Sequence, residues 1–205
     1  MARASFVGWS GIVAAALCAS QFALALEPAS KRLADIARER CGTCHGPGGQ
    51  GSNPQFPKLS GQNPKYLVQQ MFNFKSGARQ SIVMEPQLAD LSGDDIEQLA
   101  AHFSRETLIP NKTPNVALAA AGKKLFLEGN TELGVSACAT CHGSQGRGGL
   151  MLPRLAGQHA EYLEIQLKRF AERSRTTDQL LMHSIASRMS DQEIRAVSYF
   201  LSGLE

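Results

Sequence analysis

Outside two short motifs, this sequence has no cysteine from which to build a disulfide. It holds five. Cys18 lies in an N-terminal apolar run, and the others pair as Cys41 with Cys44 and Cys138 with Cys141. A small secreted scaffold stapled by disulfides is thereby excluded. Tryptophan is nearly absent, since the single one is Trp9, just before that run. Charge of one sign is lacking too. The formal charge of +3 falls to about +2 if the first 25 residues are removed, because Arg3 is the only charge among them. A nucleic-acid binder would carry a basic stripe instead. No run of period-2 alternation stands out, which argues against a sheet. No phosphate-binding loop and no nucleophile–base pair stand out either.

What is present begins with an export signal. After Arg3 an apolar run extends from Gly11 to Leu26 and closes on Ala23-Leu24-Ala25, a small-x-small cleavage site. The strongly apolar part is short for a membrane span of about 20 residues. Lipidation of Cys18 would want a small residue before it, and Leu17 stands there. Residues 1–25 are therefore expected to be cleaved. The rest suits two domains of roughly 90 residues, each burying only about 60–65% of its chain surface. Domains that small gain from a covalently held apolar group at their centre.

The motifs supply that group. Cys41-Gly42-Thr43-Cys44-His45 and Cys138-Ala139-Thr140-Cys141-His142 both read Cys-x-x-Cys-His, the pattern of covalent c-type haem attachment. Two thiols flanking two residues can each form a thioether to one edge of a porphyrin. The adjoining histidine, His45 or His142, then turns its imidazole toward the iron. A Cys-x-x-Cys pair alone also serves redox dithiols and zinc, so the second copy and the sequence around it carry weight.

The second half repeats the first. Pro57-Lys58-Leu59-Ser60-Gly61-Gln62 matches Pro153-Arg154-Leu155-Ala156-Gly157-Gln158, and Tyr66-Leu67 matches Tyr162-Leu163. Arg79 matches Arg175, Met84 matches Met182 and Ser92 matches Ser190. The expected organisation is an N-terminal domain over 26–106, an extended linker over 107–115 holding Pro110 and Pro114, and a C-terminal domain over 116–205. Each half predicts three helices. A first helix precedes the motif, near Ser30–Arg40 and Val116–Glu128. A middle helix carries Leu67, Met71 and Phe74, or Leu163, Leu167 and Phe170, on one apolar face. A last helix opens on Ser92-x-x-Asp95 or Ser190-x-x-Glu193, both capping boxes. Gly-rich loops follow each motif histidine.

The repeat also selects the second axial ligands. Met71 corresponds to Leu167 and Met189 to Leu91, so those sites want a hydrophobe. Met151 has no methionine counterpart. Only Met84 and Met182 match each other, in loops before the last helices, and they are the expected ligands opposite His45 and His142. His183 adjoins Met182 and is a competing donor, though solvent exposure is its plainer reading. His102 reads as packing or surface, and His159 corresponds to Asn63. The Pro57 and Pro153 carbonyls are placed to accept the imidazole N–H and fix its tautomer. Arg79 and Arg175 are either propionate partners or solvated surface charges.

These residues together resemble the dihaem cytochrome c4 family. The resemblance runs from about residue 27 to 205. It rests on Cys-x-x-Cys-His-Gly, Pro-(Lys/Arg)-Leu-x-Gly-Gln-x-x-x-Tyr-Leu, the Phe74-to-Arg79 segment, and the paired methionines and Ser-capped helices. It implies an all-α protein of two cytochrome c-like domains related by a pseudo-twofold, with two covalent haem c groups. It implies thioether links at Cys41, Cys44, Cys138 and Cys141, and axial ligation by His45, Met84, His142 and Met182. It also implies a periplasmic electron carrier, loosely held at the inner membrane, with redox-protein partners that lead to a terminal oxidase. Met189 in place of a leucine, and Ser81-Ile82-Val83, depart from the family's usual wording.

Three functions are weighed on this basis. A carrier needs both irons six-coordinate. A dihaem peroxidase needs one open iron and a distal acid or base, for which Glu85 or His183 is the only hint. An electron-accepting subunit of a flavin-containing sulfide-oxidising enzyme would be built like the carrier but bound permanently.

Overall fold

The computed structural model describes residues 31–113 and 115–205. The expected export segment, with Trp9 and Cys18, lies outside the described residues, as does the start of the first helix. The described residues form helices and loops. Their only strand-like pairings are two isolated bridges, Asn130 with Val135 and Gly149 with Leu152. This is the all-α, two-domain architecture that the repeat predicts.

In the N-terminal half, helix α1 covers 31–45. It turns π-helical over Ile36–Cys41 and ends in one α-helical turn, Gly42–His45. The expected stop at Arg40 is therefore absent, and the helix carries directly into the haem motif. The wider π turn shifts the angular phase of the motif residues after it, and such turns concentrate at functional sites. Helix α2 is Pro64–Lys75, and its N-cap Asn63 accepts from the N–H groups of Lys65 and Tyr66. Helix α3 is Met84–Leu88 and α4 is Gly93–Arg105. The predicted capping box forms at α4: Asp95 N–H donates to Ser92 Oγ at 3.1 Å, and Ser92 N–H to Asp95 Oδ2 at 2.9 Å. Ile96, Leu99, Ala100 and Phe103 then bury one face against Leu33, Ile36 and Ala37 of α1 and Leu67 of α2.

The C-terminal half repeats this with α5 (Val116–Glu128), α6 (Ala139–His142), α7 (Ala160–Ala171), α8 (Leu181–Ala186) and α9 (Asp191–Ser202). The second capping box, Ser190 with Glu193, also forms. Leu125, Phe126, Leu163, Val197 and Leu201 make this core. The halves differ ahead of the motif. Here α5 stops at Glu128, and a reversing loop closed by the Asn130–Val135 pair separates it from Cys138. Helices α5 and α9 cross at Gly122, where an added Cβ would stand 2.0 Å from the Ala196 carbonyl oxygen.

One expectation is corrected by the backbone. Met84 and Met182 do not lie in loops; each sits in the first turn of a short helix, α3 or α8. The cause is local. Ser81 Oγ accepts the Met84 N–H at 3.1 Å, and the Asp178 carboxylate accepts the Met182 N–H. A side-chain acceptor for a free N–H favours the opening of a helical turn. The connecting stretch after Arg105 is strapped down, and Pro114 of the expected linker lies outside the described residues. Thr107 and Ile109 bond to the Gln50 side chain, and Asn111 bonds to the carbonyls of Gly157, Gln158 and Ser202.

Candidate metal centres

The motif cysteines stand at the end of α1 and around α6. Cys41 and Cys138 each pack against the core of their own half. Burial pushes the Cys41 thiol up and raises that of Cys138 to about 11. A redox dithiol needs a thiol of lowered pKa, and neither Cys41 nor Cys138 is shifted that way. Among the described residues, no three His, Cys, Asp or Glu side chains converge as a chelating set. The zinc reading of the motifs finds no support there.

His45 and His142 are buried, with relative exposures of 6% and 7%. The Nδ1 of His45 lies 2.8 Å from the Pro57 carbonyl oxygen, and that of His142 lies 3.3 Å from Pro153 O. A carbonyl only accepts, so Nδ1 carries the proton and Nε2 is left bare. Burial also lowers both imidazoles below their ordinary value, although the carbonyl contacts pull the other way. A buried, neutral imidazole with a fixed tautomer is what a metal takes. The expectation for Pro57 and Pro153 is met in both halves.

Met84 is half-buried and packs against the same core as Cys41. Met182 is half-buried in the first turn of α8. Met71 and Met189 pack into the cores as hydrophobes, and Met151 is 49% exposed. His183 departs from its expected solvent exposure. Its Nδ1 donates to Phe170 O at 3.0 Å, and its Nε2 accepts from Arg173 Nε at 3.1 Å. Both ring nitrogens are engaged at the C-terminal end of α7, where a donor satisfies a helix carbonyl. His102 stacks edge-on to Phe103 and faces Glu106, as a packing residue of α4.

The solvated reading of Arg79 and Arg175 fails, since their exposures are 8% and 7%. They meet where the two halves meet. Gln70 Oε1 accepts from Arg79 Nη1 at 2.7 Å and Arg175 Nη2 at 3.1 Å. Gln166 Oε1 accepts from Arg79 Nη2 at 2.7 Å and Arg175 Nη1 at 2.8 Å. The pattern crosses over again with Arg79 to Tyr162 and Arg175 to Tyr66. Each guanidinium also covers the ring of its own Phe74 or Phe170 at 4.5 Å. Each contact maps onto its counterpart when the halves are exchanged, as a twofold interface requires.

The same symmetry joins residues that sequence reasoning left without a role. Gln62 of the first half exchanges two hydrogen bonds with the backbone of Arg154, and Gln158 does so with Lys58. Asn63 Nδ2 reaches Leu150 O at 2.6 Å, and His159 Nε2 meets Gly51 O at 3.0 Å. A signal for the glutamines existed in the repeat. Gln62 and Gln158 match at the end of the repeated Pro-(Lys/Arg)-Leu-x-Gly-Gln segment, and a matched polar residue has little reason to recur unless both copies are used; Asn63 and His159 differ and carried no such signal.

His159 supports a prediction of pH dependence. Burial foremost, then the nearby Lys58 charge, hold its imidazole below the ordinary value, with the Gly51 contact opposing. The unfolded chain therefore takes up this proton first. The stability contribution is complete above an unfolded value of about 6.5 and declines as pH falls through it. The melting temperature of the haem-loaded protein should drop between pH 7.5 and 5.5, and H159N should drop less. An unchanged slope in H159N would contradict this role.

The buried groups at the interface fit two covalent haems. Two buried guanidiniums face each other across the interface with no carboxylate at salt-bridge distance among the described residues. Arg175 Nε is buried without any hydrogen-bond partner. The Asp178 carboxylate acts on Arg175 from beyond salt-bridge distance, and its Oδ1 is also buried without a partner; two guanidiniums against one carboxylate leave a positive charge that haem propionates, as anions, would balance. The paired cysteines of each motif and the imidazoles with bare Nε2 complete the set of groups that would hold the haems. Fold and site together define a dihaem c-type cytochrome.

Comparison with known proteins agrees. Residues 119–205 match the family model "Cytochrome c", and residues 28–103 match "Cytochrome C oxidase, cbb3-type, subunit III". The cytochrome c4 of Thiocapsa roseopersicina is 42% identical over 171 residues, which span 80% of this chain and 86% of that protein. A thiosulfate dehydrogenase electron acceptor of Thiomonas intermedia (strain K12) is 39% identical over 181 residues, spanning 85% and 83%. The structure of reduced recombinant cytochrome c4 from Pseudomonas stutzeri aligns with a TM-score of 0.79 and 36% identity, over 82% of this chain and 95% of that one. The chain belongs to the cytochrome c4 family of electron carriers and carries two covalent haem c groups.

Proposed function

We propose that this chain is a periplasmic carrier of single electrons, with Cys41 and Cys44, and Cys138 and Cys141, holding one haem each. His45 with Met84 and His142 with Met182 would hold the two irons. When bound, the haems supply a ferric/ferrous couple, and the thioether ligand keeps that couple at higher potential than a second histidine would. The observation that carries this reading is the proximal geometry, Nδ1 of each histidine on a proline carbonyl and Nε2 bare. With both axial positions filled from the protein, no substrate reaches the metal. The expected cleavable export signal over residues 1–25 supports this location. No helix among the described residues is long and apolar enough to cross a membrane. The downstream partner on this reading is a terminal oxidase.

A second reading concerns the donor. The Thiomonas intermedia relative is named as the electron acceptor of a thiosulfate dehydrogenase. The present chain would then draw electrons from a sulfur-oxidising dehydrogenase while keeping the same site chemistry. This shares with the flavoprotein-subunit idea an electron-accepting role beside an oxidising enzyme.

Two assays test the carrier reading on haem-loaded protein. It should elute as a single chain, and its electron exchange with a redox partner should slow as ionic strength rises, as small transient encounters do. Hydrogen peroxide should not be turned over. A salt-resistant complex with one dehydrogenase would favour a permanent subunit, and peroxide turnover would favour the peroxidase.

A further inference from the structure

One peptide unit in each half makes two hydrogen bonds of different origin. The carbonyl of Pro57 accepts from His45 Nδ1 at 2.8 Å. The N–H at the other end of that peptide bond belongs to Lys58, and it donates to Gln158 Oε1 of the opposite half at 2.8 Å. The second half mirrors this. Pro153 O accepts from His142 Nδ1 at 3.3 Å, and the Arg154 N–H of the same peptide donates to Gln62 Oε1 at 2.7 Å. Each glutamine closes the contact by donating its Nε2 to the next carbonyl, Lys58 O or Arg154 O, both at 2.9 Å.

The glutamines are firmly held. Gln62 and Gln158 are 6% and 5% exposed. Each Oε1 also accepts the backbone N–H of the next residue in the chain, Asn63 or His159. Water has little room to replace them. The glutamine oxygen is therefore a fixed acceptor on the peptide that holds the axial histidine of the other domain.

We propose that Gln158 and Gln62 are positioning residues that act across the interface. Each polarises the peptide whose carbonyl holds the other domain's axial imidazole, and so tunes the haem in that domain. The inference rests on the axial ligation by His45 and His142 proposed above. Hydrogen bonds in series strengthen one another in a low-dielectric interior. An acceptor on the Lys58 N–H enlarges the dipole of the Pro57–Lys58 peptide, and its carbonyl becomes the better acceptor. A stronger bond from Nδ1–H gives the imidazole more basic character toward a metal. A more basic ligand favours the ferric state and lowers the potential. Docking of the two domains is thus part of each haem's setting.

The test uses the full haem-loaded chain with Q158L and Q62L. Redox titration followed by NMR of the haem methyl signals reads the two domains separately. The expected result is crossed: Q158L raises the potential of the N-terminal haem and leaves the C-terminal one in place, while Q62L does the reverse. Equal shifts of both haems in either variant would mean a loosened interface only and would overturn the proposal. A shift in the variant's own domain, or none at all, would overturn it as well. If neither variant takes up haem, amide exchange in the reduced, unmutated protein decides. The Lys58 and Arg154 N–H groups should exchange slowly, and fast exchange would sink the idea. Low-spin, histidine-ligated spectra without crossed shifts would reject this inference alone; loss of histidine ligation in the unmutated protein would reject the functional reading with it.

Discussion

Replacing Met182 with alanine is expected to open the reduced C-terminal haem to carbon monoxide while the N-terminal haem stays closed. Met84 and Met182 are the only methionines that match between the two halves. Their rivals Met71 and Met189 correspond to Leu167 and Leu91 in the opposite half, so those sites take a hydrophobe. The nearest spare donor is His183, one residue on, and it is tied at both nitrogens to Phe170 and Arg173. Swinging it onto the metal would break both bonds, at a net cost of about 1 kcal/mol each. The vacated position should therefore remain open. The carbon monoxide difference spectrum should go from no binding to binding at one haem of the two. The altered haem should also fall in potential, because it loses its thioether. Binding at both haems of the unmutated protein would contradict the assignment of both methionines.

The second large effect is structural. Gly122→Val should destabilise the C-terminal domain by about 3 kcal/mol or more, at the upper end of what overpacking costs. The backbones of α5 and α9 touch at this point. An added Cβ meets the Ala196 carbonyl oxygen at 2.0 Å, its carbon at 2.5 Å and Phe200 Cβ at 2.8 Å. Two of these three atoms are backbone and cannot rotate away, so the helices must separate. Separation would uncover Phe126 and Val197, which are buried to 0% and 1% exposure. Denaturant unfolding followed by haem absorbance measures the change. Gly149→Ala is the control, because nothing lies within 4 Å of an added Cβ there; it should stay within about 0.5 kcal/mol of the unmutated protein. Equal stability of the two variants would show that the crossing is not tight.

Much of this was legible in the sequence, for identifiable reasons. The thioether motifs have fixed spacing because porphyrin geometry demands it. The capping boxes at Ser92 and Ser190 are local and formed as read. The apolar faces of the middle helices and the tautomer-fixing prolines are also short-range features. What escaped was long-range. For Arg79 and Arg175 the residue type leaves two readings open, a propionate partner or a solvated charge, because arginine is seldom buried without a partner. Their burial depends on Gln70, Gln166 and two tyrosines arriving from both halves. The exposure expected of His183 failed because its two partners lie 10 and 13 residues away, on an adjoining turn. The π-helical stretch at Ile36–Cys41 shares its apolar spacing with an ordinary helix and has no signature of its own.

Whether one chain holds two six-coordinate His/Met haems is decided most directly by combined absorption and EPR spectroscopy on protein matured with haem in a periplasm, with haem counted per chain. Two haems per chain are expected, both low-spin, each showing the methionine–iron charge-transfer band when oxidised. One high-spin haem, or one bis-histidine haem, would contradict the paired His/Met ligation. A high-spin centre would direct the next experiment to peroxide turnover.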